Sequence, residues 1–371
     1  MFRDYKLLNG FYVNSFVIYL TSSKFINSNQ THIQMKLISQ FLFFIISISL
    51  FSQKVTSVDN IQQSLIKKEK ITKTSLVKNI SFTNIGPTVM SGRVADVDVN
   101  PYNTSEFYVG YASGGLWYTN NNGTTFSPVL DNSPTQNVGD IAVDWKSGTI
   151  WVGTGEKNSS RSSYAGIGIL KSIDKGKTWI NVGLNDSHHV SRIIINPNNP
   201  DQVIIGVIGH LYSSNEERGI FKTSDGGKTW AKTLYINQDT GIIDVAHAPE
   251  NFDIIYAASW ERSREAWNFK GNGSNSAIYK STDAGESWTK ITDKSGFPSG
   301  SGVGRIGLAV FNKNTVYALH DSQFRRPKNK NKKPSDELTK EDFKTMSSND
   351  FLKLTNKKLN TYLKNLSLIH I

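Results

Sequence analysis

The chain has 371 residues, a hydrophobic fraction of 37% and a formal net charge of +11, a length that suits one large or two ordinary domains. The basic excess lies at the ends: residues 1–80 hold ten basic and three acidic side chains, residues 324–371 hold twelve and five, and residues 81–323 hold twenty and twenty-three. This near-neutral body argues against a nucleic-acid partner. The absence of cysteine excludes disulfides, thiolate metal sites and cysteine nucleophiles.

An apolar segment near the N-terminus predicts export. Residues 35–53, MKLISQFLFFIISISLFSQ, begin with Met and Lys, continue through an apolar stretch and end in small or polar residues, which is the layout of a secretory signal peptide. The apolar core is short for a transmembrane helix, which needs about 20 residues. We therefore expect a secreted, periplasmic or cell-surface protein, with translation starting at Met35 and residues 1–34 as a mistakenly assigned extension. A genuine extension followed by an uncleaved membrane anchor is the alternative.

The remaining chain divides into three stretches. Residues 54–80 are polar and Lys-rich and predict a linker. Residues 81–323 consist of short alternating apolar runs separated by Gly, Asn and Pro, without a helical period, and predict a series of strands. Residues 324–371 are Lys- and Asn-rich and then helix-prone, with N-cap-like starts at Thr339 and Ser347. They predict a basic, partly helical insertion or truncated end.

An internal repeat predicts the architecture. SIDKGKTW (172–179), TSDGGKTW (223–230) and STDAGESW (281–288) share the pattern Ser/Thr-x-Asp-x-Gly-x-x-Trp, and TNNNGTTF (119–126) is a weaker copy. Each repeat unit holds enough apolar runs for four strands, which predicts an all-β fold, a β-propeller with about four complete blades and a partial fifth. Four and a half blades cannot close a propeller ring, because the exposed strand edges would seek partners. We therefore expect the propeller to be incomplete in this chain and the chain to be a truncated piece of a longer protein.

The repeat itself is interpreted as structural. The hydroxyl and the Asp support a hairpin turn by hydrogen bonds to its backbone, the Gly supplies positive φ, and the Trp ring packs against the blade. Neither the spacing of a phosphate loop nor the several carboxylates of a calcium loop is present. The structural set is Ser172, Asp174, Gly176, Trp179, Thr223, Asp225, Gly227, Trp230, Ser281, Asp283, Gly285 and Trp288.

These copies resemble the Asp-box (BNR) repeats of sialidases, sortilin-type propellers and xyloglucan-degrading propeller enzymes. The phrases SGRVADVDVNP, YASGGLWYTNNNGTTF, WVGTGEKNSSRSS and GIFKTSDGGKTW look most like a bacterial secreted group classed with the sortilin N-terminal domain or labelled loosely as glycosyl hydrolases. The resemblance covers residues 81–323, continues into the Lys-rich insertion that follows, and implies a sialidase-like propeller fold. Members are typically much longer, which supports truncation.

The catalytic residues of these enzyme families have no match at the corresponding positions of this chain. The resemblance to sialidases would require an Arg-Ile-Pro motif before the first Asp-box, and none occurs. The resemblance to the xyloglucan enzymes would require an aspartate just before a Gly-Gly pair in the first blade, where this chain has Ala112 and Ser113. No cofactor is expected.

Two regions could carry a ligand site. Aligning the repeat units places five charged residues at one matched position of the innermost strands: Asp96, Asp140, Arg192, Asp244 and Arg305. They predict either ion pairs that fix one blade against the next or, together with Arg93, a polar site for a ligand. Two long loops, 153–166 and 259–276, are either covers of blade edges or sites for sugar stacking and carboxylate capture. Their candidate residues are Glu156, Arg161, Trp260, Arg262, Arg264 and Trp267.

Three functional hypotheses follow. The favoured one is an exported propeller that binds an extracellular peptide, protein or glycan, touching membrane only through an uncleaved signal segment. The second is a glycoside hydrolase in which Glu156 pairs with Glu261 or Asp140, or with a carboxylate on missing blades. The third is a scaffold like the propellers that help to build photosynthetic complexes. No metal is expected: His188, His189 and His210 lack a metal-ligand spacing and predict a solvated turn or satisfied core histidines.

Overall fold

The computed structural model describes residues 55–80, 92–294, 296–324 and 338–369. The expected signal segment, residues 1–34 and the Lys-rich run at 325–337 lie outside the described residues. The chain divides into two compact units, Met1–Ser57 and Val58–Ile371. Every helix and strand given below belongs to the second unit.

Four antiparallel sheets of four strands follow one another along the chain. The first has β1 (Val94–Val99), β2 (Phe107–Tyr111), β3 (Gly115–Thr119) and β4 (Ser127–Pro128). The second has β5 (Val138–Asp144), β6 (Thr149–Thr154), β7 (Ile169–Ser172) and β8 (Ile180–Asn181). The third has β9 (Val190–Asn196), β10 (Asn199–Val207), β11 (Gly219–Thr223) and β12 (Ala231–Leu234). These sheets are the first three blades of the propeller.

The fourth blade is interrupted by a small hairpin. It contains β13 (Thr240–Ala248), β14 (Asn251–Glu261), β17 (Ile278–Ser281) and β18 (Thr289–Lys290), and the hairpin β15 (Ser263–Arg264) and β16 (Phe269–Lys270) lies between β14 and β17. A short 3₁₀ helix at Thr292–Lys294 leads to the two strands of the fifth blade, β19 (Val303–Asn312) and β20 (Thr315–Ser322). The predicted all-β propeller of four complete blades and a partial fifth is confirmed.

The first strand of each blade is the inner one. β1 packs beside β5, β5 beside β9, β9 beside β13 and β13 beside β19. Neighbouring strands within a blade are antiparallel. The second strand therefore ends where the first one begins. The loop before each inner strand and the loop between the second and third strands thus lie at the same end of the blade. We call the loops at 153–168, 184–190, 208–218 and 262–277 the entry face. The Asp-box turns join the third and fourth strands at the opposite end.

Apolar clusters join each blade to the next. Trp151 of β6 is fully buried among Val203 of β10, Phe221 of β11 and other residues of blades two and three. Comparable clusters join blades one and two, three and four, and four and five. Burial of each large apolar side chain stabilises by about 1.5–3 kcal/mol, so these clusters hold neighbouring blades together.

Helices lie on either side of the strand series in the sequence. α1 (Val58–Thr74) falls within the segment interpreted as a linker and buries no residue. α2 (Lys340–Thr345), α3 (Ser348–Leu352) and α4 (Asn356–Ile369) occupy the predicted helix-prone end. The side chains of Thr339 and Ser347 cap α2 and α3, as the sequence predicts. No helix in the described part of the chain has the length and apolarity needed to cross a membrane.

Each Asp-box closes its own turn by hydrogen bonds. In the third blade Thr223 Oγ1 donates to Asp225 Oδ1 over 2.7 Å and accepts from the Gly227 N–H over 2.9 Å. Asp225 also accepts from the N–H of Thr229 over 3.0 Å and from its hydroxyl over 2.6 Å. Gly227 has a φ of +90°, a conformation that favours glycine. The carboxylate is thus fully used within the turn.

The Trp of each Asp-box contacts the preceding blade. The indole N–H of Trp230 donates to the Val182 carbonyl over 2.7 Å, and its ring lies edge-on to Trp151 at 6.3 Å. Trp179 and Trp288 likewise donate to Val129 and Thr233 of their preceding blades. The sequence predicted that the ring packs against a blade, and the structure shows that this is the preceding blade. The motif therefore connects neighbouring blades.

Acid is expected to weaken the Asp-boxes. Hydrogen bonds from the Thr or Ser four positions later lower the pKa of Asp174 and Asp283 from 3.8 to about 2, and that of Asp225 further. A lowered folded-state pKa contributes stability above the unfolded value that is lost as pH falls towards 2. Denaturant unfolding between pH 4 and 2 should show a shallower loss of stability in the D174N/D225N/D283N variant than in the parent. Asp253→Asn, an exposed residue of β14, should keep the parental slope; equal slopes in all three proteins would contradict this role.

Candidate functional site

A cluster of charges lies between the inner strands. Arg192 of β9 is within 3.1 Å of Asp244, 3.4 Å of Asp140 and 3.7 Å of Asp96. Lys157 adds a second cation, its Nζ 2.7 Å from Asp140 Oδ1. Residues from four blades therefore meet at the matched position, as the alignment of the units predicts.

The carboxylates of this cluster also bind backbone of the following blade. Asp96 accepts from the Ile141 N–H over 3.3 Å, Asp140 from the Ile193 N–H over 2.7 Å and Asp244 from the Leu308 N–H over 2.9 Å. An Asp at this position therefore fixes the register of one inner strand against the next. Of the two interpretations left open by the sequence, these contacts favour ion pairs between blades over a ligand site.

Arg305 departs from the cluster. Its guanidinium lies 5.8 Å from the Trp260 ring centre and donates to Asn158 Oδ1 over 2.8 Å. It makes no ion pair with any residue that the structure describes. The fifth matched residue thus points towards the entry-face loops instead of closing the charge cluster.

Glu156 is held by one cation, Arg93, and by two neutral hydrogen-bond donors. Arg93 binds both carboxylate oxygens, with Nε 2.6 Å from Oε1, and Ser163 and Asn158 donate over 2.7 and 2.9 Å. Burial raises the pKa of Glu156, but the bonds from Arg93, Ser163 and Asn158 outweigh it and leave the pKa below its usual value. A general acid needs a raised pKa, so this environment does not suit one.

The other carboxylates proposed for a glycosidase pair are also occupied. Asp140 is fully buried, and although burial raises its pKa to about 6, both its oxygens have protein partners. Glu261 bonds to Lys270 over 3.1 Å and to Asn275 over 2.9 Å. The structure joins neither of them to Glu156. The weak catalytic candidates Glu156 and Asp140 therefore have structural partners of their own.

Arg262 is buried without an anionic partner. Its side chain donates to the carbonyls of Gly209 and His210 over 3.1 Å, its Nε has no hydrogen-bond partner, and 2% of the residue is exposed. It forms no ion pair within the described part of the chain, and burial lowers its pKa well below the usual value. The sequence left the 259–276 loop open between a cover of a blade edge and a site for carboxylate capture; the structure places its Arg262 beneath the 208–218 loop.

A small cavity lies directly above this arginine. Arg218, Arg262 and Arg264 line it together with Asp239, Glu265 and the hydroxyl residues Ser213, Ser214 and Ser263. Arg218 is also buried and donates to main-chain carbonyls over 2.8–2.9 Å. Three guanidinium groups against two carboxylates leave the cavity with a net positive charge, which suits an anionic ligand group. We call this the arginine cavity.

Of the two tryptophan candidates, Trp260 is buried in the fourth blade and Trp267 is exposed. Trp260 is buried and its indole N–H donates to the Gly271 carbonyl over 2.8 Å, so it supports the fourth blade. Trp267 has 82% of its surface exposed and Arg161 is also exposed. Arg264 stacks on Phe269 at 4.2 Å and donates to the Ser159 carbonyl over 2.8 Å, which ties the 262–277 loop to the 153–168 loop.

The histidines are closer together than their spacing suggested. His188 and His210 stack with ring centres 3.7 Å apart, and His210 Nε2 lies 3.0 Å from Asp186 Oδ1. His189 is buried and its Nδ1 has no partner, although the ring has a hydrogen bond to the backbone of Glu156, so it is a core histidine that is only partly hydrogen-bonded. The sequence separates the 184–190 and 208–218 loops, and only the blade geometry brings them side by side.

Comparison with known families places the fold. The family model described as Sortilin-Vps10 (sortilin, neurotensin receptor 3) matches residues 168–368, more than half of the chain. The chain belongs to the Sortilin-Vps10 family. No curated protein matches it.

Solved propellers are similar to this family member at low identity. An ancestral GH74 enzyme aligns with 18% identity and a TM-score of 0.47, over 63% of this chain and 30% of that chain. The Niastella koreensis GH74 enzyme aligns with 20% identity and a TM-score of 0.44, over 60% and 34%. YCF48 bound to D1 peptide aligns with 14% identity and a TM-score of 0.41, over 66% and 65%. The chain thus spans about a third of the length of the two GH74 enzymes.

Proposed function

We propose that this propeller is an exported binding protein that takes up an extracellular peptide or glycan through a carboxylate group at the arginine cavity. The observation that carries the proposal is Arg262, a buried guanidinium with an unpaired Nε and no anionic partner among the described residues. A buried charge without a counter-ion is costly. A ligand carboxylate that reaches this group supplies the missing partner, and the hydrogen bond is charge-assisted.

The surroundings of the cavity suit a ligand larger than the carboxylate alone. Trp267 and Tyr212 are exposed on the two loops that border the cavity, and exposed aromatic rings offer stacking surfaces to sugar rings and peptide side chains. The serine hydroxyls that line the cavity add hydrogen-bonding groups of either polarity. The family description, which includes a neurotensin receptor, supports a peptide among the possible ligands.

The glycoside hydrolase alternative has less support. Its carboxylates are each paired with protein donors, as described above for Glu156 and Asp140. The GH74 likeness is to enzymes of which this chain spans about a third. No described contact favours this alternative over binding.

Export belongs to the same proposal. The layout of residues 35–53 supports a cleaved signal peptide. Mass spectrometry of the protein from its native culture should find a mature N-terminus after residue 53, and one upstream of Met35 would contradict export by this segment.

A matched ligand panel tests the carboxylate requirement. Random hexapeptides with a free or an amidated C-terminus, and oligosaccharides with uronic acids or their neutral counterparts, are to be applied to the immobilised full chain. We expect binders only in the carboxylate-bearing halves, with affinity falling on the order of tenfold or more when the carboxylate is amidated or reduced. Lys146→Ala, exposed in the turn between β5 and β6 at the opposite end of the blades, is the control and should bind as the parent does. Equal binding of amidated and free forms, or no binder in the panel, would contradict the proposal.

A further inference from the structure

A second set of side chains on the entry face has the composition of a metal centre. Asp186, His188 and His210 each offer one ligand atom, and these atoms all lie within 4.8 Å of one another. They come from two loops of the entry face, 184–190 and 208–218, and lie outside the arginine cavity. Two imidazoles with one carboxylate suit zinc and neighbouring transition metals better than calcium or magnesium, which prefer oxygen ligands.

The ligand groups are oriented by a second set of contacts. His210 Nδ1 lies 2.8 Å from Ser213 Oγ, which leaves Nε2 facing Asp186. Asn215 donates to the Asp186 carbonyl over 2.8 Å and lies 3.3 Å from its Oδ2, while Glu217 accepts from the Asp186 N–H over 2.8 Å. Ligating histidines in metalloproteins usually have their second nitrogen held in this way, and their carboxylates are hydrogen-bonded.

His188 is the least explained residue of the group. Neither of its ring nitrogens makes a hydrogen bond to a residue that the structure describes, although the side chain is half-buried against His210. Its φ of +52° is a left-handed conformation, rarely adopted by non-glycine residues and concentrated at functional sites. Next to it, the buried His189 carries an Nδ1 without a partner. His188 therefore places an imidazole without a described hydrogen bond beside the Asp186–His210 contact.

We propose that Asp186, His188 and His210 form a binding site for a divalent transition-metal ion of the zinc type. Three protein ligands leave a fourth tetrahedral position for water or an exogenous ligand, and Asp186, whose side chain is 36% exposed, connects the site with solvent. Zinc bonds to nitrogen and oxygen of about 2.0–2.2 Å place tetrahedral ligand atoms about 3.3–3.6 Å apart. Two stacked imidazoles cannot both direct their in-plane lone pairs at one ion, so binding requires His188 to turn out of its stack on His210. The chemical class of ligand at the open position is an oxygen or nitrogen donor.

Metal titration of the untagged full chain, stripped with a chelator, tests the site. Calorimetry with Zn²⁺ should show one ion per chain, and Co²⁺ should give the visible absorption of a nitrogen- and oxygen-ligated ion. His188→Asn removes the imidazole while retaining a residue that tolerates the left-handed conformation, and it should weaken Zn²⁺ binding on the order of 100-fold. His210→Gln should do the same. His320→Ala, in β20 and outside the cluster, is the control and should bind as the parent does.

The outcomes are distinguishable from a folding defect. Circular dichroism of His188→Asn without metal should match the parent, because this side chain makes no hydrogen bond to a described residue, and the unfolding midpoint should fall only by the loss of its stacking on His210. No stoichiometric Zn²⁺ binding by the parent, or parental affinity in both His188→Asn and His210→Gln, would overturn the proposal. Loss of the Co²⁺ spectrum in these two variants and its retention in His320→Ala would support it.

Discussion

Replacement of Arg192 by leucine is expected to lower the free energy of unfolding by about 3 kcal/mol, the lower end of the range for removing one member of a buried ion pair. The reason is that Arg192 lies within 4 Å of Asp96, Asp140 and Asp244, and leucine would leave these carboxylates facing one another with Lys157 as the remaining cation. We choose the lower end because 33% of the Arg192 side chain is exposed, so solvent screens part of the charge. Urea unfolding followed by tryptophan fluorescence measures the change.

Arg305 supplies the matched control. It occupies the same alignment position in the fifth blade but makes no ion pair with a described residue; it donates a hydrogen bond to Asn158 and lies over the Trp260 ring. Arg305→Leu should lower the free energy of unfolding by no more than about 2 kcal/mol, the net value of one hydrogen bond and one weak cation–π contact. Adding Asp96→Asn to Arg192→Leu should recover part of the loss, since it removes one repelling charge. Equal effects of the two arginine variants would contradict an inter-blade ion cluster.

Trp151→Ala is expected to cost about 3–5 kcal/mol, the range for deleting a large buried aromatic side chain. The ring is 1% exposed and lies against Trp230 and the Asp-box turn of the next blade, where Gly227 leaves no room for a Cβ without contact at 2.9 Å. Lys171 Nζ lies over its face at 4.6 Å. The cavity would open between blades two and three, and the same urea titration measures it.

Trp267 provides the comparison for this variant. Because 82% of it is exposed, Trp267→Ala should change stability by no more than about 0.5 kcal/mol, as surface substitutions usually do. It should instead weaken the binding of panel ligands that bear an aromatic group or a sugar ring. A similar loss of stability in both tryptophan variants would show that the ring of Trp151 is not the inter-blade contact described here.

Much of the fold was predictable because the repeat is local. Thr223, Asp225, Gly227 and Trp230 lie within eight positions of one another, and their hydrogen bonds close within the same turn. Three copies at blade spacing therefore revealed the architecture. What the motif could not reveal was the partner of the indole N–H, because Val182 belongs to the preceding blade.

The site was less predictable because most of its contacts join loops that are far apart in the sequence. Alignment of the units did bring Arg192 and its aspartates to one position, since the inner strands repeat in register. The burial of Arg262 beneath residues 209–211 depends instead on how two loops of different blades pack, and no periodic signal records that packing. The stacking of His188 on His210 likewise joins two separate loops, the one before β9 and the one between β10 and β11.

If the Asp-boxes are structural, the ligand binds at the entry face and leaves the Asp-box turns unaffected. Hydrogen–deuterium exchange of the full chain, with and without the tightest carboxylate ligand of the panel, tests it most directly. Protection confined to residues 153–168, 208–218 and 262–277, with unchanged exchange at 172–179, 223–230 and 281–288, is the predicted result. Protection centred on the three Asp-box turns would contradict it.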